Sequence, residues 1–515
     1  MVATELVNPF RQGLRVDRAT EPCQLVIFGA SGDLTHRKLL PAIYNLAQAQ
    51  LLPAAFSVTG FARQAMDDAQ FRSLLATAVA ESGEVRRRDQ QTLEELEQRV
   101  HYVSGDFHDP TAYTALKAAL ERSDADYGTG GNRIFYIATP ASLYVDIVEK
   151  LHAAGLVAQH GASASFVRVV VEKPFGRNLT SARSLDKELL DYLCEDQVYR
   201  IDHYLGKETV QNILVFRFAN GIFEPIWNRR YVDNVQITVA ESLGIESRGS
   251  FYEETGVVRD IIQNHALQLM SLVAMEPPTT FDARDFRDEK IRVIEAIKPL
   301  GAASLAQSAV RGQYGPGYVA GESVAGYRQE DGVALDSITP TYAALRFFVD
   351  NWRWADVPFY VRSGKRLPKR TSEIAIHFKQ APHLPFRKTQ VGELTSNVLA
   401  LSIQPNEAIT LRFGAKVPGP SMRVRSVAMD FGYGAAFGAE ESSAYERLIL
   451  DCMKGDQTLF DRADGVEAAW SLLDPVLAAW DADRAVAFPN YAAGTWGPPE
   501  ADRLLAQDGR QWRHL

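Results

Sequence analysis

Residues 24–33 read Gln-Leu-Val-Ile-Phe-Gly-Ala-Ser-Gly-Asp, and this stretch decides the fold of the N-terminal part of the chain. A short apolar run that ends at a glycine is typical of a strand buried on both faces of a sheet. Apolar residues with helical spacing follow in residues 33–50. A strand, a glycine turn and a helix in this order form the context of a dinucleotide site, because glycine lets the backbone approach a pyrophosphate.

The glycine turn has the spacing GxxG and lacks the full GxGxxG pattern. Taken alone, it therefore also allows a plain strand–helix connection in which Asp33 caps the helix. At the end of the next strand stands Arg63, followed by Gln64. An arginine there favours a coenzyme with a 2′-phosphate, hence NADP+, although Asp67 and Asp68 are close enough to bind the ribose of NAD+.

Strands and helices alternate through the first 200 residues. Further strands are predicted at residues 56–60, 101–104, 133–138 and 166–171, with helices at 93–100, 111–120 and 143–154. Such alternation predicts a parallel sheet covered on both faces. We therefore expect an N-terminal arm at residues 1–20 and a Rossmann-type α/β coenzyme domain at residues 21–203.

The pattern changes after a helix at residues 208–218. Strands are predicted at 235–240, 341–348, 358–361, 373–378, 397–403 and 408–413, and helices at 257–275, 288–297, 443–453 and 466–480. Successive strands without crossover helices indicate a mostly antiparallel sheet. We expect an α+β domain with a large sheet at residues 204–515, in which residues 301–340 form a long surface excursion.

The composition excludes several classes of function. The 515 residues are 46% apolar and 23% charged, as is typical of a soluble globular protein. The net charge of −9 argues against nucleic acid as a partner. We expect no membrane span, since no apolar run is long enough, and no secretory signal, since the N-terminus lacks a basic region followed by an apolar core. Three dispersed cysteines and ten histidines without metal-ligand spacing predict a reducing, cytoplasmic location and no metal site.

Residues 200–208 read Arg-Ile-Asp-His-Tyr-Leu-Gly-Lys-Glu and combine several side chains that can transfer protons or bind anions. His203, Tyr204 and Lys207 on one turn could all donate to a phosphate. The alternative is a helix start with Lys207 and Glu208 paired in solvent.

Removal of a hydride from a carbinol carbon needs a base for the hydroxyl proton, and histidine is the side chain best tuned to neutral pH. His265 with Asp202 could form this dyad, although a histidine on such an apolar helix is more often structural. Lys173 follows a predicted buried strand, where ligands bind in open parallel sheets, but it could equally belong to a structural turn.

These residues lie in blocks that resemble the glucose-6-phosphate dehydrogenase family over nearly the whole chain. The matching blocks are Gly29-Ala-Ser-Gly-Asp-Leu34, Glu172-Lys-Pro-Phe-Gly176, the nine residues 200–208, Arg259-Asp-Ile-Ile-Gln-Asn-His265, Arg362-Ser-Gly-Lys365 and Gln404-Pro-Asn-Glu407. The nine-residue block is highly specific to the family. The resemblance implies oxidation of β-D-glucose 6-phosphate at C1 to 6-phospho-D-glucono-1,5-lactone, with NADP+ as hydride acceptor, the first step of the oxidative pentose phosphate pathway.

The resemblance also implies the role of each residue. His265 is then the general base and Asp202 its carboxylate partner. The substrate is bound by Lys173, His203, Tyr204, Lys207, Glu241, Asp260, Lys365, Arg370 and Gln404. The coenzyme is bound by Gly29, Ala30, Ser31, Gly32, Asp33, Leu34, Arg63, Gln64, Tyr144 and Lys173. The family often has a cis bond before Pro174.

The family assembles through its large sheet, which implies a homodimer or homotetramer. A second, structural NADP site of animal members is doubtful here, because Ser402 and Thr371 replace basic residues. The form of the first blocks resembles bacterial members, and among these the cyanobacterial ones. That likeness suggests an accessory activator protein and a redox effect through Cys194. Two rival functions are a dehydrogenase of an unphosphorylated sugar, which should lack the His203/Lys207 pair, and a non-catalytic NADP sensor, which should have lost His265, Asp202 or Lys173.

Overall fold

The structure is a computed structural model that describes residues 20–159, 165–246, 248–383, 396–420, 423–433 and 443–515. The predicted N-terminal arm lies outside the described residues except for residue 20. The chain divides into two compact units. The first unit contains Met1–Val171, Tyr192–Tyr199 and Tyr445–Gln457, and the second contains Glu172–Asp191, Arg200–Ala444 and Thr458–Leu515. The predicted domain boundary between residues 203 and 204 stays a prediction.

The described residues form nineteen strands. They are β1 (Cys23–Phe28), β2 (Phe56–Ala62), β3 (Val100–Ser104), β4 (Arg133–Ile137), β5 (Val167–Glu172), β6 (Val198–Ile201), β7 (Val232–Ala240), β8 (Ala309–Gly312), β9 (Tyr314–Gly315), β10 (Gly317–Val319), β11 (Glu322–Val324), β12 (Tyr342–Phe348), β13 (Pro358–Gly364), β14 (Thr371–Phe378), β15 (Val398–Gln404), β16 (Ala408–Lys416), β17 (Val424–Gly432), β18 (Phe460–Asp461) and β19 (Tyr491–Ala492).

The α-helices of the same residues are α1 (Leu40–Gln48), α2 (Asp68–Glu81), α3 (Gln90–Glu97), α4 (Pro110–Tyr127), α5 (Tyr144–Ala153), α6 (Leu179–Leu190), α7 (Glu208–Phe218), α8 (Gly249–Val257), α9 (Leu267–Ala274), α10 (Ala283–Glu295), α11 (Ala302–Ser308), α12 (Ala444–Lys454), α13 (Ala463–Ala482) and α14 (Pro499–Ala506). Two segments, Thr35–Leu39 and Val258–Ala266, are π-helical. None of the helices described is long and apolar enough to cross a membrane.

The first unit is built on parallel strands in the order β5–β4–β1–β2–β3. The central strand β1 is buried at every position, as its apolar sequence predicts. Aromatic rings pack on the sheet, among them Phe28 and Phe61 with centroids 5.0 Å apart. The predicted Rossmann-type α/β fold is confirmed.

The second unit contains an eight-stranded sheet in the order β17–β16–β15–β14–β7–β13–β12–β8. Every neighbouring pair is antiparallel except β7 and β13, which run parallel. The predicted large, mostly antiparallel sheet is therefore confirmed. The single parallel pair matters for function, because Ala240 lies opposite Gly364 and the residues that follow both strands emerge at the same edge.

The expectation of a surface excursion at residues 301–340 is wrong in part. This segment contains α11 and the strands β8 to β11, and the rings of Tyr314 and Tyr327 are fully buried. Their hydroxyl groups donate to half-buried acids, Tyr314 to Glu330 and Tyr327 to Glu253. The polar ends of these rings have partners inside the protein, so a segment rich in glycine and alanine can enter the core.

The helix that bears His265 changes geometry along its length. It passes from α8 through the π-helical segment Val258–Ala266 into α9, where the sequence predicts one regular helix at residues 257–275. Gly256 supports the change with a φ of +58°. π-Helical turns are rare and occur frequently at functional sites.

The C-terminus of α9 is capped by side chains. The last carbonyls of an α-helix have no partner within the helix, and here buried N–H donors bind those of residues 272–275. The bonds are Arg217 Nη1 to Leu272 O at 2.9 Å, Trp227 Nε1 to Val273 O at 2.8 Å, Trp354 Nε1 to Ala274 O at 2.8 Å and Arg217 Nη2 to Met275 O at 2.8 Å. This cap holds one end of the helix that contains His265.

The cap predicts unequal effects of two tryptophan substitutions in the same loop. Trp354→Phe removes the donor of the buried Ala274 carbonyl and should lower the free energy of unfolding by about 1–3 kcal/mol. Trp352 is 97% exposed, so Trp352→Phe should change it by less than about 0.5 kcal/mol. Urea unfolding followed by circular dichroism compares the two variants. Equal effects would contradict the capping role.

Candidate active site

The predicted acid/base and substrate residues all lie in the second unit, mostly just beyond the ends of strands. Lys173 follows β5, Asp202, His203 and Tyr204 follow β6, Lys207 precedes α7, Glu241 follows β7, Asp260 and His265 lie in the π-helical segment, Lys365 follows β13, Arg370 precedes β14, and Gln404 ends β15. The peptide bond between Lys173 and Pro174 is cis.

Asp202 and His265 form a buried dyad. Nδ1 of His265 lies 2.5 Å from Oδ1 of Asp202, and both side chains are 1% exposed. The same carboxylate oxygen also accepts the backbone N–H of Tyr204 at 2.9 Å, which fixes the turn after β6. The structure thus brings together two residues that are 63 positions apart in the sequence.

The hydrogen bonds define the tautomer of His265. Nζ of Lys173 lies 2.9 Å from Nε2 of His265. An ammonium group only donates, so Nε2 must accept and the proton of the neutral ring lies on Nδ1, facing Asp202. The basic nitrogen of the imidazole, Nε2, therefore faces the ammonium group of Lys173.

The charges of the dyad follow from burial and from the partners. Burial raises the pKa of Asp202, but the charge and hydrogen bond of His265 outweigh burial and hold this pKa well below its usual range. Burial lowers the pKa of His265, and Asp202 only partly opposes it. Burial, the charge of His265 when its ring is protonated and the charge of Lys173 likewise lower the pKa of His203. The dyad at neutral pH is a carboxylate beside a neutral imidazole that is ready to accept a proton.

A set of alternating charges lies next to the basic nitrogen. Lys173 also donates to the carbonyl of Asp260 at 2.7 Å, and Lys365 lies 2.5 Å from Oε2 of Glu241 and 3.7 Å from Oδ2 of Asp260. Burial raises the pKa of Asp260, but Lys173 and Lys365 outweigh it and lower the pKa to about 2. Carboxylates and ammonium groups held in this way can bind the hydroxyl groups of a polyol.

Tyr204 connects the dyad to a second group of polar side chains. Its ring is stacked on His265 with a centroid distance of 4.2 Å and an interplanar angle of 23°. Its hydroxyl group lies 3.0 Å from Oγ of Ser372 and accepts from Nε2 of Gln404 at 3.1 Å. One buried side chain therefore contacts the base on its face and the second group at its tip.

The second group is positively charged. Nζ of Lys207 donates to Oε1 of Gln404 at 2.5 Å, and Nη2 of Arg370 approaches the same oxygen at 3.4 Å. Lys207 also lies 4.3 Å from the centroid of the Tyr204 ring. Two cations gathered at one side chain favour the binding of an anion there. The alternative of a Lys207–Glu208 pair in solvent finds no support in these contacts.

Ser372 and Tyr252 belong to the site although sequence reasoning missed both. Oγ of Ser372 contacts Tyr204 and Gln404, and the ring of Tyr252 lies 5.0 Å from Nζ of Lys365. A serine on a strand and a tyrosine on a helix have no local signal. Only the strand pairing of Ser372 with Gln404 places it here.

The ligand atoms of Asp202, His203 and His265 lie within 4.8 Å of one another, as metal ligands do. Both ring nitrogens of His265 are already in use, however, one by Asp202 and the other by Lys173. A metal ion would have to displace an ammonium group. We therefore do not identify a metal centre.

The predicted coenzyme loop lies in the first unit. Gly29 has a φ of +79°, and a Cβ there would lie 2.4 Å from the carbonyl oxygen of Ala138, so this position requires glycine. The turn borders a cavity of about 350 Å³ that is lined by Gly29, Ser31, Gly32, Ala62, Arg63, Gln64, Phe107, Ala138, Thr139 and Pro140. Asp33 does not cap the helix, since its carboxylate pairs with Arg37 at 2.7 Å.

Three other predicted coenzyme residues are not among those that line this cavity. Ala30 is fully buried, Leu34 is half-buried, and Tyr144 is 1% exposed and does not line this cavity. Their contacts with a coenzyme stay predictions.

The acids that could bind the ribose of NAD+ are engaged elsewhere. Asp67 caps α2 and accepts the N–H of Gln70 at 2.8 Å. Asp68 accepts the N–H of Tyr102 at 2.7 Å and contacts His101 at 3.1 Å. Arg63 is exposed and lines the cavity. The charge next to this cavity at the end of β2 is therefore positive, which would fit a 2′-phosphate.

Comparison with known proteins identifies the family. The model of the glucose-6-phosphate dehydrogenase NAD binding domain matches residues 26–212, and that of the C-terminal domain matches residues 214–513. Glucose-6-phosphate 1-dehydrogenase of Chlamydia pneumoniae is 47% identical, over 99% of this chain and 100% of its own length. Glucose-6-phosphate 1-dehydrogenase 2 of Mycobacterium bovis is 48% identical, over 98% of each chain.

Solved structures agree with the sequence comparison. A glucose-6-phosphate dehydrogenase in complex with its substrate glucose-6-phosphate has a TM-score of 0.87 and 32% identity, over 96% of this chain and 99% of its own. Glucose-6-phosphate 1-dehydrogenase from Mycobacterium avium has a TM-score of 0.80 and 35% identity, over 96% and 99% of the two chains. This chain therefore belongs to the glucose-6-phosphate dehydrogenase family.

Proposed function

We propose that this chain oxidises β-D-glucose 6-phosphate at C1 to 6-phospho-D-glucono-1,5-lactone and transfers the hydride to NADP+. The reaction is the first step of the oxidative pentose phosphate pathway. The observation on which the proposal rests is Tyr204, whose ring stacks on His265 while its hydroxyl group contacts the cationic pair Lys207 and Arg370 through Gln404. A base and an anion pocket joined by one side chain suit a substrate with an oxidisable hydroxyl group and a phosphate.

The proposed roles follow from the contacts. Nε2 of His265 takes the proton of the C1 hydroxyl group, and Asp202 holds the tautomer and stabilises the imidazolium that forms. Lys173 yields its contact with Nε2 to the substrate hydroxyl and then binds the substrate. Glu241, Asp260 and Lys365 bind the sugar, while His203, Tyr204, Lys207, Arg370 and Gln404 bind the phosphate.

The first unit supplies the coenzyme site. The backbone turn at Gly29 and Gly32 fits a pyrophosphate, and Arg63 fits the 2′-phosphate. When bound, NADP+ supplies the hydride acceptor.

The rival functions have less support. A dehydrogenase of an unphosphorylated sugar has no use for the cations at Gln404. A non-catalytic sensor has no use for a buried dyad, which costs desolvation energy.

Other parts of the proposal concern assembly and location. Met429 and Phe431 of β17 are exposed on the edge strand of the large sheet, which supports a homodimer or homotetramer formed there. The cysteines are free thiols, which supports a cytoplasmic location. The activator protein and a redox role of Cys194 stay predictions.

The proposed function is tested by the absorbance at 340 nm of purified protein with glucose 6-phosphate and NADP+. We expect NADPH to form, with much slower formation from glucose and a lower catalytic efficiency with NAD+. Equal rates with glucose and glucose 6-phosphate would contradict the phosphate pocket. Coenzyme binding without any turnover would favour the sensor.

His265→Asn tests the base. It should lower kcat by about 10²–10⁴-fold, because general base catalysis contributes rate enhancements of that order. His377→Asn is the control, since His377 is a half-buried histidine on β14 outside the site. Initial rates over a range of glucose 6-phosphate concentrations separate kcat from KM. Near-normal turnover of His265→Asn would rule out this residue as the base.

Arg63→Ala tests coenzyme selection. Loss of a charge-assisted contact to the 2′-phosphate should raise the KM for NADP+ by about tenfold or more. Such a bond contributes about 1.5–3 kcal/mol, and the lower value corresponds to a factor of about ten in binding. The KM for NAD+ serves as the internal control and should stay nearly unchanged. If both KM values rise together, Arg63 does not read the 2′-phosphate.

A further inference from the structure

A buried serine lies next to the anion pocket that Lys207, Arg370 and Gln404 form. Ser372 on β14 is fully buried, and its hydroxyl group forms a closed triangle with the side chains of Tyr204 and Gln404. Nε2 of Gln404 donates to Oγ of Ser372 at 2.8 Å and to the hydroxyl oxygen of Tyr204 at 3.1 Å, and the two hydroxyl oxygens are 3.0 Å apart. The proposed reaction assigns no role to this serine.

The sheet fixes the position of Ser372 relative to Gln404. Ser372 pairs with Gln404 of β15, whereas the next residue, Glu373, pairs with Ser402, so that the pairing passes over Ile403. Irregularities of this kind re-aim side chains and are frequent next to active sites. On its other side β14 pairs with β7, so Ser372 lies inside the sheet.

The triangle contains one hydroxyl proton more than it can accept. The amide nitrogen of Gln404 donates to both hydroxyl oxygens, while its Oε1 accepts from Lys207 at 2.5 Å. Between the two hydroxyl groups only one proton can be shared, so the proton of the other has no acceptor within the triangle. Neither hydroxyl group has a further acceptor among the residues that the structure describes. One hydroxyl proton therefore needs a partner from outside.

Burial indicates which of the two protons this is. A fully buried serine whose proton has no acceptor is costly, because the group loses its hydrogen bond with water and gains none in return. Ser372 avoids this cost if it donates to Tyr204. The hydroxyl oxygen of Tyr204 then accepts from Ser372 and from Gln404, and its own proton stays available. Since Lys207 and Arg370 lie at the same tip of the tyrosine, an anion there would supply the missing acceptor.

Tyr204 keeps its proton at neutral pH. Burial raises the pKa of Tyr204, and the hydrogen bond with Ser372 opposes this rise only in part. The side chain is therefore a neutral phenol that can donate a hydrogen bond. The deprotonated oxygens of a phosphate group are strong acceptors for such a donor.

We propose that Ser372 is a positioning residue of the anion pocket, which donates to Tyr204 and thereby directs the hydroxyl proton of Tyr204 to the phosphate group of the substrate. The inference rests on the proposed function, since it assigns Ser372 to the pocket for glucose 6-phosphate. Ser372 acts through Tyr204, because its own side chain is fully buried. In the reverse direction, with Tyr204 donating to Ser372, the phosphate would have one donor fewer.

The two directions predict opposite effects of Ser372→Ala. If Ser372 donates to Tyr204, its loss weakens the tyrosine as a donor, and the KM and the Kd for glucose 6-phosphate should rise by about threefold to tenfold. If Tyr204 donates to Ser372, the same change frees the tyrosine proton for the phosphate, and both constants should fall. Constants that fall or stay unchanged would overturn the inference.

Ser363→Ala is the matched control. Ser363 on β13 belongs to the same sheet and is 1% exposed, and its Oγ has no hydrogen-bond partner among the described residues. The control thus removes a buried serine hydroxyl group that directs no donor. It should leave the KM and the Kd for glucose 6-phosphate within about twofold of the wild-type values.

A double-mutant cycle tests whether Ser372 acts through Tyr204. Tyr204→Phe removes the donor to the phosphate and should raise the KM for glucose 6-phosphate by about tenfold or more. In this background Ser372→Ala should raise the KM by less than about twofold further, because the proton that Ser372 directs is absent. Effects that multiply independently would contradict the proposed role.

Initial rates with two sugars separate this role from a structural one. Glucose has no phosphate group, so Ser372→Ala should lower kcat/KM for glucose 6-phosphate and leave kcat/KM for glucose nearly unchanged. A serine that only stabilises the sheet would affect both sugars equally, and that result would overturn the inference.

A second pair of variants keeps the test decisive if the alanine disturbs the sheet. Ser372→Thr and Ser372→Val have nearly the same shape and suit a strand, but only the threonine keeps a hydroxyl group. The ratio of kcat/KM for glucose 6-phosphate to that for glucose should be lower in the valine variant by about threefold to tenfold. Equal ratios in the two variants would rule out a role of the hydroxyl group.

Calorimetry separates this inference from the proposed function. Titration of glucose 6-phosphate into the protein without coenzyme gives the Kd and needs no turnover. Wild-type protein that does not oxidise glucose 6-phosphate would refute the proposed function. An active wild type whose Ser372→Ala variant binds glucose 6-phosphate equally tightly would refute only the role of Ser372.

Discussion

The hydrogen bond between Asp202 and His265 is the contact around which the candidate active site is organised. A carboxylate and an imidazole that are 1% exposed are stable only if each has a defined partner and the surrounding charges are balanced. The turn after β6 supplies the acid, the π-helical segment supplies the imidazole, and the cap on residues 272–275 holds the far end of the same helix. Lys173 then selects the tautomer from the other side of the ring.

Around this contact the charged side chains form two groups, one of mixed charge and one of positive charge. Acids and lysines alternate beside the basic nitrogen of His265, while Lys207 and Arg370 gather beyond Tyr204. The parallel pairing of β7 with β13 creates the first arrangement, because Glu241 and Lys365 follow neighbouring strands at the same edge. If β13 ran antiparallel to β7, as the other neighbouring strands of this sheet do, the residues that follow the two strands would lie at opposite edges. The local exception in topology thus places an acid next to a lysine in the site.

Much of this could be predicted from local patterns. The buried strand and glycine turn at residues 24–33 indicated the Rossmann-type fold, and the nine residues at 200–208 contained the acid, the tyrosine and the lysine of the site. What could not be predicted depends on contacts between distant residues. The π-helical turn at His265 has no distinct periodicity, Ser372 enters through its pairing with Gln404, and Asp461 lies opposite Arg200 only because a two-residue strand returns late in the chain. The burial of Tyr327 likewise depends on an acid from outside its own segment, Glu253.

The stacking of Tyr204 on His265 has a consequence for how substrates are told apart. Under the proposed function, the tip of Tyr204 contacts the phosphate pocket and its face supports the base, so this side chain would couple the occupancy of that pocket to the reacting group. The free energy of phosphate binding is then available to order the base and is not confined to holding the ligand. Selection between a phosphorylated sugar and its free counterpart would accordingly be expressed in the turnover number as well as in affinity. A saturating concentration of the wrong sugar could not restore the rate.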